Sequence, residues 1–322
     1  MKIAFVGNHK VDFSSETHHC NTLEAMGHQV IRLQEGLIYT DTIYREALKC
    51  DMLVFIHTHG VVTRGAYSVS RMFELLKRAG VPTVTYHLDL WLGIGREKDL
   101  TTDPFYKTIE YFFTVDKLMA DWFNDNTEVK GIYLPAAVYD KECYLHPEPI
   151  YKENANKGEL LNDIVFVGSK GYHPEWPYRP ILIDTLKGHY GDKFHHIGRD
   201  GEGAVRGEEL NRLYASSKVA VGDTLCIGFN YPYYLSDRIF ETTGRGGFMI
   251  HPYIEGIHDL FEEGKEIVTY KFNDFEDLFA KVDYYLEHPK EREKIRLAGH
   301  ERTKRDHTYR NRWEFILKEL SK

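Results

Sequence analysis

Short apolar runs recur through the first half of the chain. Each is separated from the next by a longer stretch whose apolar positions fall every three or four residues. KIAFV (2–6), QVIRL (29–33), MLVFI (52–56), TVTYH (83–87), YFFTV (111–115) and GIYLP (131–135) predict six strands. Between them, SETHHCNTLEAMG (15–27) and YSVSRMFELLKRAG (67–80) carry helical spacing and end in glycine, as helix carboxyl termini often do. The strands are apolar at nearly every position, the pattern of a sheet covered on both faces. Strand alternating with helix predicts an α/β protein with a parallel, doubly wound sheet.

Residues 140–162 break this rhythm with two prolines, many charges and few core candidates. They predict an interdomain linker, placed at 146–162 after a first domain of 1–145. Alternation then resumes. DIVFVG (163–168), KFHHIG (193–198), KVAVGD (218–223), GFMIHP (247–252) and EIVTY (266–270) read as strands. RPILIDTLKGHYG (179–191), GEELNRLYASS (207–217) and SDRIFETTG read as helices, followed by helices at 274–288, 290–303 and 307–321. The expectation is a second Rossmann-like domain over 163–305 and a terminal segment, 306–322. Two such domains joined by a linker form a cleft, and ligands of open α/β sheets sit beyond the carboxyl ends of the strands.

That rule directs attention to YLSDRIFETTGRGGFMIHP (234–252). Ser236 and Asp237 open a helix, Arg238 falls in its first turn and Glu241 lies one turn on, near the same face. A helix start offers unpaired N–H groups and a positive dipole end, which suit a phosphate. Arg238 and Lys170, on the loop after DIVFVG with Gly168 and Ser169, would add positive charge beside a diphosphate. A carboxylate at Glu241 would accept from the two hydroxyls of a ribose. Arg199, after KFHHIG, is a further candidate for the base or phosphate. The plainer alternative is an Arg–Glu surface pair at i,i+3.

In the first half, the loop after strand one holds Gly7, Asn8 and His9, then Ser15, Glu16 and His18, candidates for acceptor or donor-sugar contact. The plainer role there is an N-cap at Ser14 or Ser15. After strand four, HLDLW supplies His87, Asp89 and Trp91, a polar triplet at a strand end, with His87 expected to face the reacting sugar and Asp89 to orient it or bind an acceptor hydroxyl; the plainer reading is a capped loop with a packed Trp.

Composition narrows the field. The chain has 322 residues, 42% apolar, with 22 Tyr and 18 Phe, enough for a sizeable core and for aromatic clefts or a homodimer interface. A formal charge of −8 disfavours a large nucleic-acid footprint. Cys20, Cys50, Cys143 and Cys226 form no CxxC pair, which argues against a zinc ribbon and fits a reducing compartment. The first apolar run is too short for a signal peptide, and no run reaches 18 apolar residues, so the expectation is a cytoplasmic protein without a membrane span.

From about 163 to 305 the chain resembles the glycosyl transferases group 1, CgeB-like branch of the GT-B glycosyltransferases. DIVFVGS, GEELNRLYASSKVAVGD, SDRIFETTGRGGFMIHP, GIHDLFEEGKEIVTY and the tail LEHPKEREKIRLAGHERTKRDHTYRNR carry the likeness. The resemblance implies GT-B architecture, two facing Rossmann-like domains with the last helix crossing back to the first. It implies a nucleotide-diphosphate sugar as co-substrate, UDP before GDP, with retention at the anomeric carbon, no cofactor and no essential metal. In the family's E-x7-E pattern the second carboxylate binds the ribose, which falls on Glu241; the first is replaced by Tyr233. The family's basic residues near the diphosphate fall on Arg238 and Lys170, which with His87 and Asp89 make the expected catalytic group. The acceptor hydroxyl belongs to a glycan, a protein, a small molecule or a modified DNA base.

Two other readings compete. His57 and His59 in FIHTHG, with His87 and Asp89, compose a metal-ligand set of a hydrolase. CgeB-like chains are also associated with spore surfaces, so a non-catalytic binding protein of the same fold is a further alternative. No G-x-S-x-G and no P-loop is present, and GRDGEG (198–203) lacks dinucleotide-fingerprint spacing.

Overall fold

All six strands expected in the first half form. They are β1 (Lys2–Gly7), β2 (Gln29–Gln34), β3 (Met52–Phe55), β4 (Thr83–His87), β5 (Tyr111–Thr114) and β6 (Lys130–Tyr133). In this computed structural model, which describes residues 1–153, 159–171, 178–224 and 234–322, they pair in parallel in the order β2-β1-β3-β4-β5-β6. Ile3, Ala4, Phe5 and Val6 are fully buried, as a strand covered on both faces requires.

Helices cross between these strands, and two of them start on a serine cap. Ser14 precedes the helix Ser15–Ala25 and accepts from Thr17 N at 3.1 Å. Ser68 does the same for Arg71 N ahead of Val69–Arg78. Further helices at Thr40–Ala47 and Lys117–Asn126 complete the alternation. The last helix, Tyr309–Leu320, groups with this unit, which comprises Met1–Pro135 and Tyr309–Lys322. Its Trp313 is fully buried, edge-on to Phe5 at 6.2 Å, with Nε1 donating to His19 Nδ1 at 3.2 Å.

The second unit spans Ala136–Thr308. Its five strands are β7 (Asn162–Val167), β8 (Phe194–Ile197), β9 (Ser217–Val221), β10 (Met249–Pro252) and β11 (Val268–Tyr270). They too are parallel, in the order β11-β10-β9-β7-β8. The core between sheet and helices is built by Ile164, Phe166, Leu182, Val219 and Ile250. The described part of the charged segment before β7 is fastened to this unit. Asn211 donates to the Glu142 and Tyr144 carbonyls, and Lys152 and Lys218 bridge Glu159 and Asp163. No helix among the described residues is long and apolar enough to cross a membrane.

Both sheets reverse their strand order once, between β1 and β3 in the first and between β7 and β9 in the second. At such a switch point neighbouring loops diverge to opposite faces and leave a crevice at the carboxyl ends. One boundary differs from expectation in a way that matters. The strand β9 ends at Val221; Gly222 N still donates to the Ile250 carbonyl at 2.8 Å, and Asp223 follows in the switch-point loop.

Candidate functional site

In the second unit, the loops after β7 and β9 meet the first turns of two helices. Arg238 lies in the first turn of Asp237–Gly244 and reaches back to the sheet. Its Nε donates to the Val167 carbonyl at 2.8 Å, and its Nη1 pairs with the Asp223 carboxylate. Arg179, in the first turn of Tyr178–Tyr190, donates through Nε to the other Asp223 oxygen at 2.7 Å and through Nη1 to the Ser169 carbonyl at 3.0 Å. Both guanidinium groups lie over the Phe166 ring, 5.3 Å away for Arg238 and 6.0 Å for Arg179. Arg238 therefore does not form the plain surface pair with Glu241.

Asp223 is completely buried and Arg179 is 5% exposed. Burial alone would push the Asp223 carboxyl up. Arg238 and Arg179 outweigh it and hold the group below the usual carboxylate range. His251 at the end of β10 is buried close by. Burial lowers it to about 4, so it is neutral at pH 7 and adds no charge. Two guanidinium groups thus share one carboxylate, and the trio keeps one positive charge in a place where charge is costly without a partner.

The helix that carries Arg238 begins without a side-chain cap. Ser236 is buried at its N-cap, yet its Oγ has no hydrogen-bond partner among the described residues. Within that first turn Ile239 N donates only a long bond to the Ser236 carbonyl, at 3.4 Å, and a helix start of this kind suits an anion. One turn on, Glu241 is half-buried, and its carboxylate has neither hydrogen bond nor ion pair among the described residues. Asp237 is exposed.

The remaining donor-site candidates are placed differently. The Lys170 ammonium is taken by Asp184, while the Lys170 and Gly171 amides donate to the Asp200 carboxylate. Lys170 thereby shapes the loop after β7 through its backbone, and its charge already has a partner. Arg199 is exposed. Tyr233, where the resemblance puts its first carboxylate, lies outside the described residues, as does Cys226.

In the first unit, Gly7 and Glu16 come together: a Cβ on residue 7 would lie 2.7 Å from Glu16 Cγ. Glu16 is raised by burial. Asn8 is a loop-former, its carbonyl accepting from Ser14 Oγ at 2.6 Å and its Oδ1 from Lys10 N. His18 is half-buried on the same helix. His87 ends β4, 7% exposed, with its Nδ1 unpartnered among the described residues. Burial lowers it to about 4. Its ring meets Trp91 edge-on at 5.1 Å, and Asp89 pairs with Arg96 at 3.2 Å.

The metal reading of His57, His59, His87 and Asp89 is corrected by this geometry. His57 Nδ1 lies 2.5 Å from Glu35 and its Nε2 3.2 Å from Asp103. Burial would lower His57, but the hydrogen bonds with Asp103 and Glu35 win and raise it to about 9. Both of its ring nitrogens are thus engaged by carboxylates. His59 turns to Asp99 at 3.0 Å, and no group of three or more His, Cys, Asp or Glu among the described residues is arranged to hold a metal ion.

Sequence reasoning missed Asp223 and Arg179. Asp223 sits just past a strand, where ligands of such sheets bind, but the run KVAVGD reads as one strand up to it. Arg179 reads as an ordinary charged residue at a helix start, and only the tertiary fold buries it.

Residues 162–318 match the family described as glycosyl transferase-like, so the chain carries a domain of that family. No curated protein matches the sequence. Among solved structures, an α-glucosyltransferase in complex with UDP-glucose and DNA containing an abasic site aligns at 12% identity over 100% of both chains, with a TM-score of 0.68. Anabaena HepE in complex with UDP and glucose aligns at 13% identity, 100% of this chain and 99% of its own, with a TM-score of 0.67. Sucrose-phosphate synthase from Thermosynechococcus elongatus gives 10% identity, 99% and 98% coverage, and a TM-score of 0.63. At these identities the likeness is one of fold, and the fold is that of the GT-B glycosyltransferases.

Proposed function

We propose that this chain, with its glycosyl transferase-like domain, transfers a sugar from a nucleoside-diphosphate donor, UDP-linked first and GDP-linked second, to an acceptor hydroxyl. The observation that carries this reading is the Arg179–Asp223–Arg238 trio. It places surplus positive charge at the β7/β9 switch point, beside the helix start at Ser236 that lacks a side-chain cap. An anion answers both needs, and a diphosphate is the anion a sugar nucleotide brings. Glu241, unpartnered among the described residues one turn further, suits the ribose diol. Two structural neighbours were solved with UDP or UDP-glucose bound.

Glycosyl transfer breaks the bond between the anomeric carbon and the diphosphate oxygen, and negative charge grows on that oxygen. Donors already aimed at it stabilise the transition state more than the ground state. In this reading Arg238, Arg179 and the first-turn amides supply that field, which is the charge a metal would otherwise bring. The acceptor hydroxyl attacks on the face the leaving group vacates, and the departing phosphate oxygen takes its proton. Retention rests on the family resemblance, and the anomeric configuration of the product by NMR decides it. His87, neutral and at a strand end, is suited to accept from a sugar hydroxyl. The −8 charge of the chain favours a glycan, protein or small-molecule acceptor over DNA.

The test is a thermal-shift screen with UDP, GDP, ADP, TDP and CDP, with and without magnesium. A ligand of the folded state raises the melting temperature by mass action. A shift with one diphosphate that survives chelation and is lost in Glu241→Ala supports the reading. No shift with any of them refutes it.

A further inference from the structure

We propose that Asp223 is the resident counter-anion of the donor site. It holds Arg238 and Arg179 in place while the site is empty and weakens the grip on the diphosphate enough for product to leave. The inference rests on the functional reading above.

The carboxylate uses both oxygens, one for each arginine. Each guanidinium has five N–H donors. Two of the five are spent on Asp223 and a carbonyl, Val167 for Arg238 and Ser169 for Arg179. The other donors of both groups have no partner among the described residues. The arginines are thus anchored but not saturated. Anchoring comes from the sheet end and from Asp223 together, so an arriving anion need not order two long side chains itself.

Charge gives the sharper consequence. A structural ion pair balances one cation with one anion, whereas here one buried carboxylate faces two cations. Of the other nearby groups, His251 is neutral, while Asp237 and Glu241 also act on Arg238 through space but less than Asp223 does, and Asp223 is the carboxylate that bonds directly to both arginines. Without Asp223, two unshielded guanidinium groups would hold a diphosphate strongly, and its release would limit turnover. With it, the diphosphate meets a fixed negative charge a few ångströms away. At an effective dielectric of about 20, that repulsion weakens binding by on the order of tenfold or more.

A scaffolding residue and a counter-anion differ in sign. Loss of scaffolding weakens every ligand. Loss of the counter-anion tightens phosphorylated ligands and leaves the nucleoside alone. Calorimetric titration of the full chain with uridine, UMP, UDP and pyrophosphate separates them, pyrophosphate being independent of the base. For Asp223→Asn the expected result is UDP and pyrophosphate bound about tenfold tighter, UMP less so, uridine unchanged, and a lower kcat. For Arg179→Gln the expected result is the opposite, about tenfold weaker UDP and pyrophosphate with uridine unchanged. An Asp223→Asn protein that binds UDP equally or more weakly overturns the inference. Should that variant fail to fold, Arg179→Gln decides, and unchanged pyrophosphate affinity overturns it. Wild-type protein that binds no diphosphate overturns the functional reading and this one with it, whereas normal wild-type binding with unresponsive variants overturns this one alone.

Discussion

Gly168 and Arg238 compete for the same space: a Cβ on residue 168 would lie 2.6 Å from Arg238 Nη2. Gly168 also has φ +143°, a backbone region that side-chain-bearing residues rarely adopt. The glycine is therefore what lets the guanidinium lie against the end of β7. Gly168→Ala is expected to displace Arg238, lower kcat/KM with a sugar nucleotide by at least about tenfold, and destabilise the protein by on the order of 1 kcal/mol or more. Steady-state kinetics and a urea melt check the two effects separately.

Glu241 offers a cleaner separation of binding from stability. Its carboxylate bonds to nothing among the described residues, and alanine is the better helix former. Glu241→Ala should leave the melting temperature nearly unchanged while weakening UDP by about tenfold or more. Pyrophosphate affinity should not move, because that ligand has no ribose. Equal weakening of both would remove the ribose assignment.

His57 makes a prediction about pH. Its folded value is near 9 against about 6.5 unfolded, so the folded state binds the proton more tightly. That stabilisation is fully present below about pH 6.5 and is lost as pH rises through 9. The shift corresponds to on the order of 3 kcal/mol. Wild-type protein should lose stability over this interval, and His57→Gln should lose much less. Chemical denaturation at pH 6.5 and 9 measures the difference.

His19, His87 and His251 work in the other direction. Burial lowers them to about 3, 4 and 4, so each is neutral when folded and takes a proton on unfolding. Their contribution is present above about pH 6.5 and fades as pH falls towards 4. Stability should therefore peak near neutrality. For His87 the same shift means that activity between pH 5.5 and 8 carries no limb from its titration. His87→Asn should lower kcat without reshaping that profile.

The GT-B pair of parallel sheets was legible because each strand announces itself by a short all-apolar run and each crossover by helical spacing and a terminal glycine. Strand existence follows from local pattern, so all eleven runs appear as strands. Strand ends do not, because pairing stops where backbone geometry stops it, so the run KVAVGD does not show that Asp223 lies beyond β9. The Ser236-to-Glu241 stretch could be singled out for the same local reason, since a polar start with Arg and Glu a turn apart is visible in a few letters.

Local pattern was enough to place the eleven strands and most of the longer helices, and to single out the helix start at Ser236 as worth attention. What the charges there meet was settled by the fold. Arg238 meets Asp223 and Arg179 because parallel pairing of β7 with β9 brings together loops more than fifty residues apart in the chain. His57 becomes an imidazolium because folding sets Glu35 and Asp103 against its two nitrogens, and Lys170 is neutralised by Asp184. Such pairings depend on distance and burial, which arise when separate segments close on one another, and a linear pattern carries neither.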